Sequence, residues 1–251
     1  MKAINSFQSG YILNTVFFLL LFTFSALVIA GEENAATIIK FSEYEDGVGH
    51  YPVRMTITEN FLRIDDTSEG KDFVLFQRKE NVIYSVNSED QQIIKIKLKP
   101  VTIKSPMELK LHSRKMATDE KAPLISGRQT EHYQFFVNDK RCYDLVTAPG
   151  LMSDAVIALK KFKQVLAGQQ AETLRFLPAD VHEACDLVKH TFYPQLYLEK
   201  GFPVMEQSMV QNGETKTIKY SRTLVDFMKK KIVAEIFVLP DYEIVEINYS
   251  E

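Results

Sequence analysis

The sequence predicts an α+β fold, with helices gathered on one side of an antiparallel β-sheet. Three observations predict it. Residues 51–99 and 131–147 fall into short alternating segments divided by turn residues. Helical periodicity is confined to one block, residues 153–190. Alternation then resumes from Gly201 towards the C-terminus, around an Asn212-Gly213 pair.

Each element has a local reason. In "YPVRMTIT", Val53, Met55 and Ile57 fall on one face and Arg54, Thr56 and Thr58 on the other, the period-two pattern of a half-buried strand. Turns at Glu59-Asn60, "TSEGK", "KEN" and "SED" then separate "FLRID", "DFVLFQR", "VIYSVN" and "QQIIKIKLK". Strands of this length joined by short turns make an antiparallel meander. A β-sandwich carries the same local pattern, and periodicity does not separate the two. Residues 100–128 are punctuated by Pro100, Pro106 and Pro123 and hold at most one strand beside a long charged loop. "EHYQFFV" and "RCYDLVT" flank "NDK" as a hairpin.

The helical block begins at Ser153 as an N-cap and is expected to stop at Gly168 as its C′ residue. Ala155, Leu159, Phe162 and Leu166 share one apolar face, with Lys160, Lys161 and Lys163 expected largely elsewhere. Those lysines suit either a membrane surface or a solvated outer face. Pro178 suits the first turn of a second helix, Ala179–His190. In the last third, Asn212-Gly213 is a strong hairpin signal because both residues tolerate positive φ. Pro240 marks a strand end or an edge, since it cannot donate to a ladder.

The N-terminus bears on compartment. Val16–Ala30, "VFFLLLFTFSALVIA", carries no charge, and Lys2 is the only charged side chain before it. Val28 and Ala30 stand at the −3 and −1 positions of a small-residue cleavage site. This is the pattern of a secretory signal peptide, residues 1–30, leaving a single domain over 31–251. An uncleaved anchor is the alternative, and it also puts the body outside the cytoplasm. A periplasmic or secreted location is expected. Beyond the leader, 29 basic and 33 acidic side chains give a mild net charge of −4. No basic patch dominates, which argues against a nucleic-acid partner. Membrane association is expected only through an uncleaved leader.

An exported chain with two cysteines usually pairs them. A Cys142–Cys185 bridge would pin a helix to the sheet. Closing that loop stabilises the fold by about 4 kcal/mol in the chain-entropy model. A redox site would show C-x-x-C, which is missing. A metal site is the other alternative: His182, Asp186 and His190 recur every four residues, so an unbroken helix would place them on one face.

The leader, the meander containing "FVLFQRKENVIYSVNSED", the helices, "GFPV" leading into a hairpin and the ending "IFVLPDYEIVEI" together resemble the LolA/LppX-like superfamily of exported half-barrels. The ending is similar to the F-x-x-P-x-x-Y of uncharacterised secreted relatives, through Phe237, Pro240 and, one position early, Tyr242. The resemblance covers most of residues 37–248. It implies a strongly curved sheet whose concave face is covered by helices, and a cavity between them that holds acyl chains or lipoproteins.

Function is expected to be binding rather than catalysis. There is no G-x-S-x-G, H-E-x-x-H or P-loop, the five histidines are scattered, and nothing calls for a cofactor. The leading expectation is an exported carrier for an apolar ligand. Its cavity would be lined by Val53, Met55, Ile57, Phe73, Leu75, Tyr84 and Val86. The same side chains could instead simply fill a core. The alternatives are an envelope interaction or scaffold protein that contacts a partner through residues 100–128, or a weak metal-binding protein.

Overall fold

A computed structural model describes residues 33–67, 71–117, 124–178, 181–212 and 215–247. The expected leader lies outside them. Gly31–Glu251 forms one compact unit. Among the described residues no helix is long and apolar enough to cross a membrane.

The body is one large curved sheet of twelve strands. In chain order they are β1 (Glu33–Glu45), β2 (Gly49–Ile57), β3 (Phe61–Asp65), β4 (Phe73–Gln77), β5 (Val82–Asn87) and β6 (Gln92–Lys97), followed by β7 (Leu111–Lys115), β8 (Glu131–Val137), β9 (Lys140–Ala148), β10 (Phe202–Asn212), β11 (Thr215–Val233) and β12 (Glu243–Glu246). Across the sheet the order is β12-β6-β5-β4-β3-β2-β1-β11-β10-β9-β8-β7. Two meanders therefore meet where β1 pairs with β11, a ladder that runs from Glu33↔Val233 to Glu45↔Tyr220. β1 has no counterpart among the strands expected from alternation. Register shifts at Lys40/Phe41, Ser208/Met209 and Phe135/Phe136 insert bulges, which bend strands and sharpen their twist. The Asn138-Asp139 turn between β8 and β9 has positive φ at both residues, as a tight hairpin needs.

One face of the sheet carries the helices. α1 (Ser153–Leu174) lies against β5, β6 and β10. It buries Ala155, Ala158, Leu159, Val165, Ala167 and Ala171, and the Phe162 ring meets Phe76 edge-on at 5.8 Å. Arg78 fixes its start: the guanidinium grips Asp154 at 2.8 Å and donates to the Thr58 carbonyl. The expected cap and stop both move. The N-cap residue is Met152, held at φ 46°, and Ser153 is already helical. Gly168 does not end the helix. A Cβ there would sit 2.3 Å from the Lys99 carbonyl oxygen, so the position is glycine to let the chain after β6 approach.

The second helix is shorter than the expected Ala179–His190, whose first two residues lie outside the described set. α2 spans Ala184–Leu187 and runs into a π-helical turn, Val188–Phe192. Pro178 precedes it by several residues. A disulfide joins Cys142 of β9 to Cys185 of α2, with Cα atoms 5.5 Å apart.

The opposite face is closed by the end of the chain. After β11 a 3₁₀ turn, Ala234–Phe237, leads through Pro240 to β12, which pairs parallel with β6. This strap covers one edge of the sheet; the other edge, β7, is short and bears His112, Arg114 and Lys115. Phe237 stacks on Phe61 at 4.9 Å and packs in a cluster with Phe73, Leu75, Val86 and Ile93. Burying a phenylalanine of this kind stabilises by about 1.5–3 kcal/mol.

Candidate functional site

The seven expected cavity residues do not line one space. Val53, Met55 and Ile57 point to the helix face and belong to the main core. Phe73, Leu75 and Val86 point to the other face, with Tyr84 packed beside them under the strap. Register explains the split. Met55 pairs with Ile64 and Ile64 with Val74, while Ile57 pairs with Leu62 and Leu62 with Phe76. The helix face of β4 is therefore Val74 and Phe76, one residue out of step with the expected set. Six of the seven are buried, and Leu75 is wholly so. They act as core.

The open apolar space lies beside α1. A groove of about 670 Å³ runs between α1, the chain after β6 and the turns that follow the π-helical segment. Leu98, Val101, Ala167, Phe192, Tyr193 and Leu196 line it. Leu98 and Tyr193 are 43% and 45% exposed, so the apolar wall meets solvent. Two hydrogen bonds tie the segments around the groove to α1. Gln195 donates to the Lys160 carbonyl at 3.2 Å, and Arg175 donates to Thr102 at 3.1 Å. The close approach at Gly168 sets its floor. Thr191 also lines it, and its hydroxyl is buried without a partner among the described residues. Such an orphan is uncommon in a protein interior.

The three expected metal ligands are not brought together. Among the described residues no group of three or more His, Cys, Asp or Glu side chains could hold a metal ion. The four-residue spacing shares a face only in one continuous helix. Here His182 precedes α2, Asp186 lies in it and His190 falls in the π-helical turn, where the phase changes. Asp186 and His190 instead line a second opening on the other flank of α1, about 510 Å³ in volume and rich in charge. Partial burial, and then the cations Lys189 and Lys163, hold the His190 imidazole down to about 4.

The sequence reading did not single out Thr191, nor the chain at 98–101 as a wall. Their roles depend on the packing of segments distant in sequence. In comparisons with known proteins, no family model matches this chain and no curated protein matches it.

Proposed function

We propose that this is an exported binding protein of the LolA-like half-barrel type, which carries an apolar or acyl chain in the groove beside α1. The observation that carries the reading is the groove itself. It is an apolar-walled cleft within the size range of small-molecule sites, lined by Leu98, Val101, Phe192 and Leu196. The curved antiparallel sheet covered by helices on one face supports the half-barrel assignment. The Cys142–Cys185 disulfide is compatible with an oxidising compartment, hence with a periplasmic or secreted location.

The reading places the ligand at a different position from the strand faces that the sequence suggested. Those faces are occupied by side chains packed against one another. The test uses protein stripped of lipid and a fluorescent fatty acyl probe. The expected result is saturable binding, weakened about tenfold or more when Leu98 and Val101 are both replaced by Glu, since about 1.4 kcal/mol of lost apolar contact gives that factor. Both side chains are exposed, so the double variant keeps its core. A native extract free of lipid, together with no probe binding, refutes the reading.

A further inference from the structure

A third opening, of about 660 Å³, lies on the strap face, between β1, β2, β3, β11 and the 3₁₀ turn of the strap. Strand parity explains what lines it. Arg54 and Thr56 alternate with the core residues Val53, Met55 and Ile57, and Arg63 and Asp65 alternate with Leu62 and Ile64, so all four turn away from the helices. Lys230 and Lys231 line the opening from β11, and Ile38, Ile232 and Ile236 give it an apolar wall. Four cations therefore share it with one carboxylate, in a body whose acidic side chains outnumber its basic ones.

That carboxylate is already engaged on both oxygens. Asp65 Oδ1 accepts from Arg54 at 2.8 Å and from the Thr67 N–H at 3.2 Å, and Oδ2 accepts from Arg63 at 3.1 Å. The nearest carboxylates outside the opening do not restore the balance. Glu33 pairs with Lys231 at 3.3 Å, Asp226 lies opposite Lys40 in the ladder, and Glu235 is exposed and does not line the opening. Arg54, Arg63 and Lys230 remain against Asp65. Arg63 is spent on Asp65, the Ile236 carbonyl and the Phe73 ring. Arg54 and Lys230 are not spent. The Arg54 side chain is 36% exposed, and Asp65 is its only side-chain partner among the described residues. A guanidinium has more N–H donors than one carboxylate oxygen uses. Lys230 is exposed and pairs with nothing among the described residues. The positive surface also continues past Arg54 and Thr67 into an adjoining hollow that adds Lys40 and His50 and no carboxylate.

We propose that this opening binds a phosphate group, of a free phosphate ester or of a lipid head group, which accepts from the unused N–H groups of Arg54 in the field of Arg63, Lys230 and Lys231. A cation would meet four positive groups. A neutral apolar molecule would gain the isoleucine wall and leave the excess charge as it was. A guanidinium with spare donors, beside ammonium groups, suits the several acceptor oxygens of a phosphate. Asp65, itself held by Arg63 and the Thr67 N–H, keeps the Arg54 guanidinium in place. A recess lined by one sign of charge concentrates its field on a ligand of the other. The site shares no residue with the groove beside α1, so each of the two readings stands or falls by itself.

The experiment pairs two measurements on the purified protein at low salt. Inorganic phosphate and glycerol phosphate, each up to about 10 mM, are titrated calorimetrically, and phosphatidylcholine vesicles with and without phosphatidylglycerol are tested by co-sedimentation. Binding to at least one phosphate-bearing probe is expected beyond that to plain phosphatidylcholine. It should weaken about threefold in Lys230→Gln and about tenfold or more when Arg54→Gln is added. Lys161→Gln removes an exposed lysine of α1 and should leave binding unchanged. Heat with the soluble phosphates assigns the site to a free ester; binding to the phosphatidylglycerol vesicles alone assigns it to a head group. Thermal melts check that the variants fold, and Lys230→Gln touches no contact that holds the chain. If no phosphate-bearing probe binds, if both variants bind as well as the parent, or if Lys161→Gln weakens binding as much as Lys230→Gln, the proposal is overturned.

Discussion

On the strap face of the sheet a buried cation is Arg63; on the helix face a partly buried one is Lys163. Arg63 donates to Asp65 at 3.1 Å and to the Ile236 carbonyl at 2.6 Å, and its guanidinium lies 3.7 Å from the centre of the Phe73 ring. Asp65 is also held by Arg54 at 2.8 Å. Every direction in which Arg63 could interact is taken, and one of its partners belongs to the strap. Lys163 has an aromatic ring and no acceptor. The difference separates a charge that holds the chain together from one that is available. Arg63 staples the strap to β3, whereas Lys163 meets an aromatic ring and only the longer-range attraction of Glu206 and Glu43.

That comparison can be broken most directly at Arg63. Arg63→Ala leaves the buried Asp65 carboxylate with Arg54 and the Thr67 N–H and frees the strap at Ile236. Breaking a buried pair from one side costs about 3–5 kcal/mol. The expected outcome is a fall of that size in urea denaturation, with the strap becoming sensitive to protease before the rest of the molecule. A loss below about 1 kcal/mol would mean that the strap is held by its aromatic cluster and not by charge.

A smaller effect is expected at the disulfide, which belongs to the helix face. Replacing Cys142 and Cys185 together by Ala removes a constraint on the unfolded chain worth about 2–4 kcal/mol. The bridge joins β9 to α2, immediately ahead of the π-helical turn that carries Lys189 and His190. Tyr143 donates to the Cys185 carbonyl at 2.7 Å and keeps a second hold on the same turn. Stability measured with and without reductant should therefore differ in the parent and coincide in the double variant. A parent that is indifferent to reductant would contradict this.

Much of this arrangement could be read from the sequence, and the failures have physical causes. "FLRID", "VIYSVN" and "EHYQFFV" are strands to the residue. In β4, however, Phe73, Val74, Leu75 and Phe76 are all apolar, because both faces are covered. Alternation carries no parity there, and the choice of face fell one residue out. The strap has no local signal, since Phe237 finds its partners on strands more than 140 residues earlier in the chain. Gly168 looked like a helix stop because its true partner, the Lys99 backbone, is remote in sequence. Lys163 could have been found. It follows Leu159 by four residues and precedes Leu166 by three, so it flanks the stripe that α1 buries. A lysine beside that stripe is partly covered, unlike the exposed Lys161.

The smallest expected effect on stability sharpens the comparison most. Burial, opposed by Glu206 and reinforced by Lys189 and Arg222, pushes the Lys163 ammonium down to about 8, from the 10.5 it has when exposed. The unfolded chain therefore holds the Lys163 proton more tightly than the folded one. Below about pH 8 both states are protonated, and the folded state bears the whole penalty. Between about 8 and 10.5 the folded state sheds the proton first, so this residue makes stability rise with pH. Burial also raises Tyr143 and Tyr220, which line the charged chamber beside α1, and Tyr197, whose ring lies under Lys163, and these oppose the trend at high pH, but they are common to the parent and the variant. In the difference between parent and Lys163→Met they cancel. Lys163→Met is expected to be the more stable protein at pH 7 by about 1 kcal/mol, allowing for water that reaches the chamber, and the gap is expected to close as pH approaches 10.5. A variant less stable than the parent at pH 7 would place Lys163 with Arg63, as a group whose charge holds the fold together.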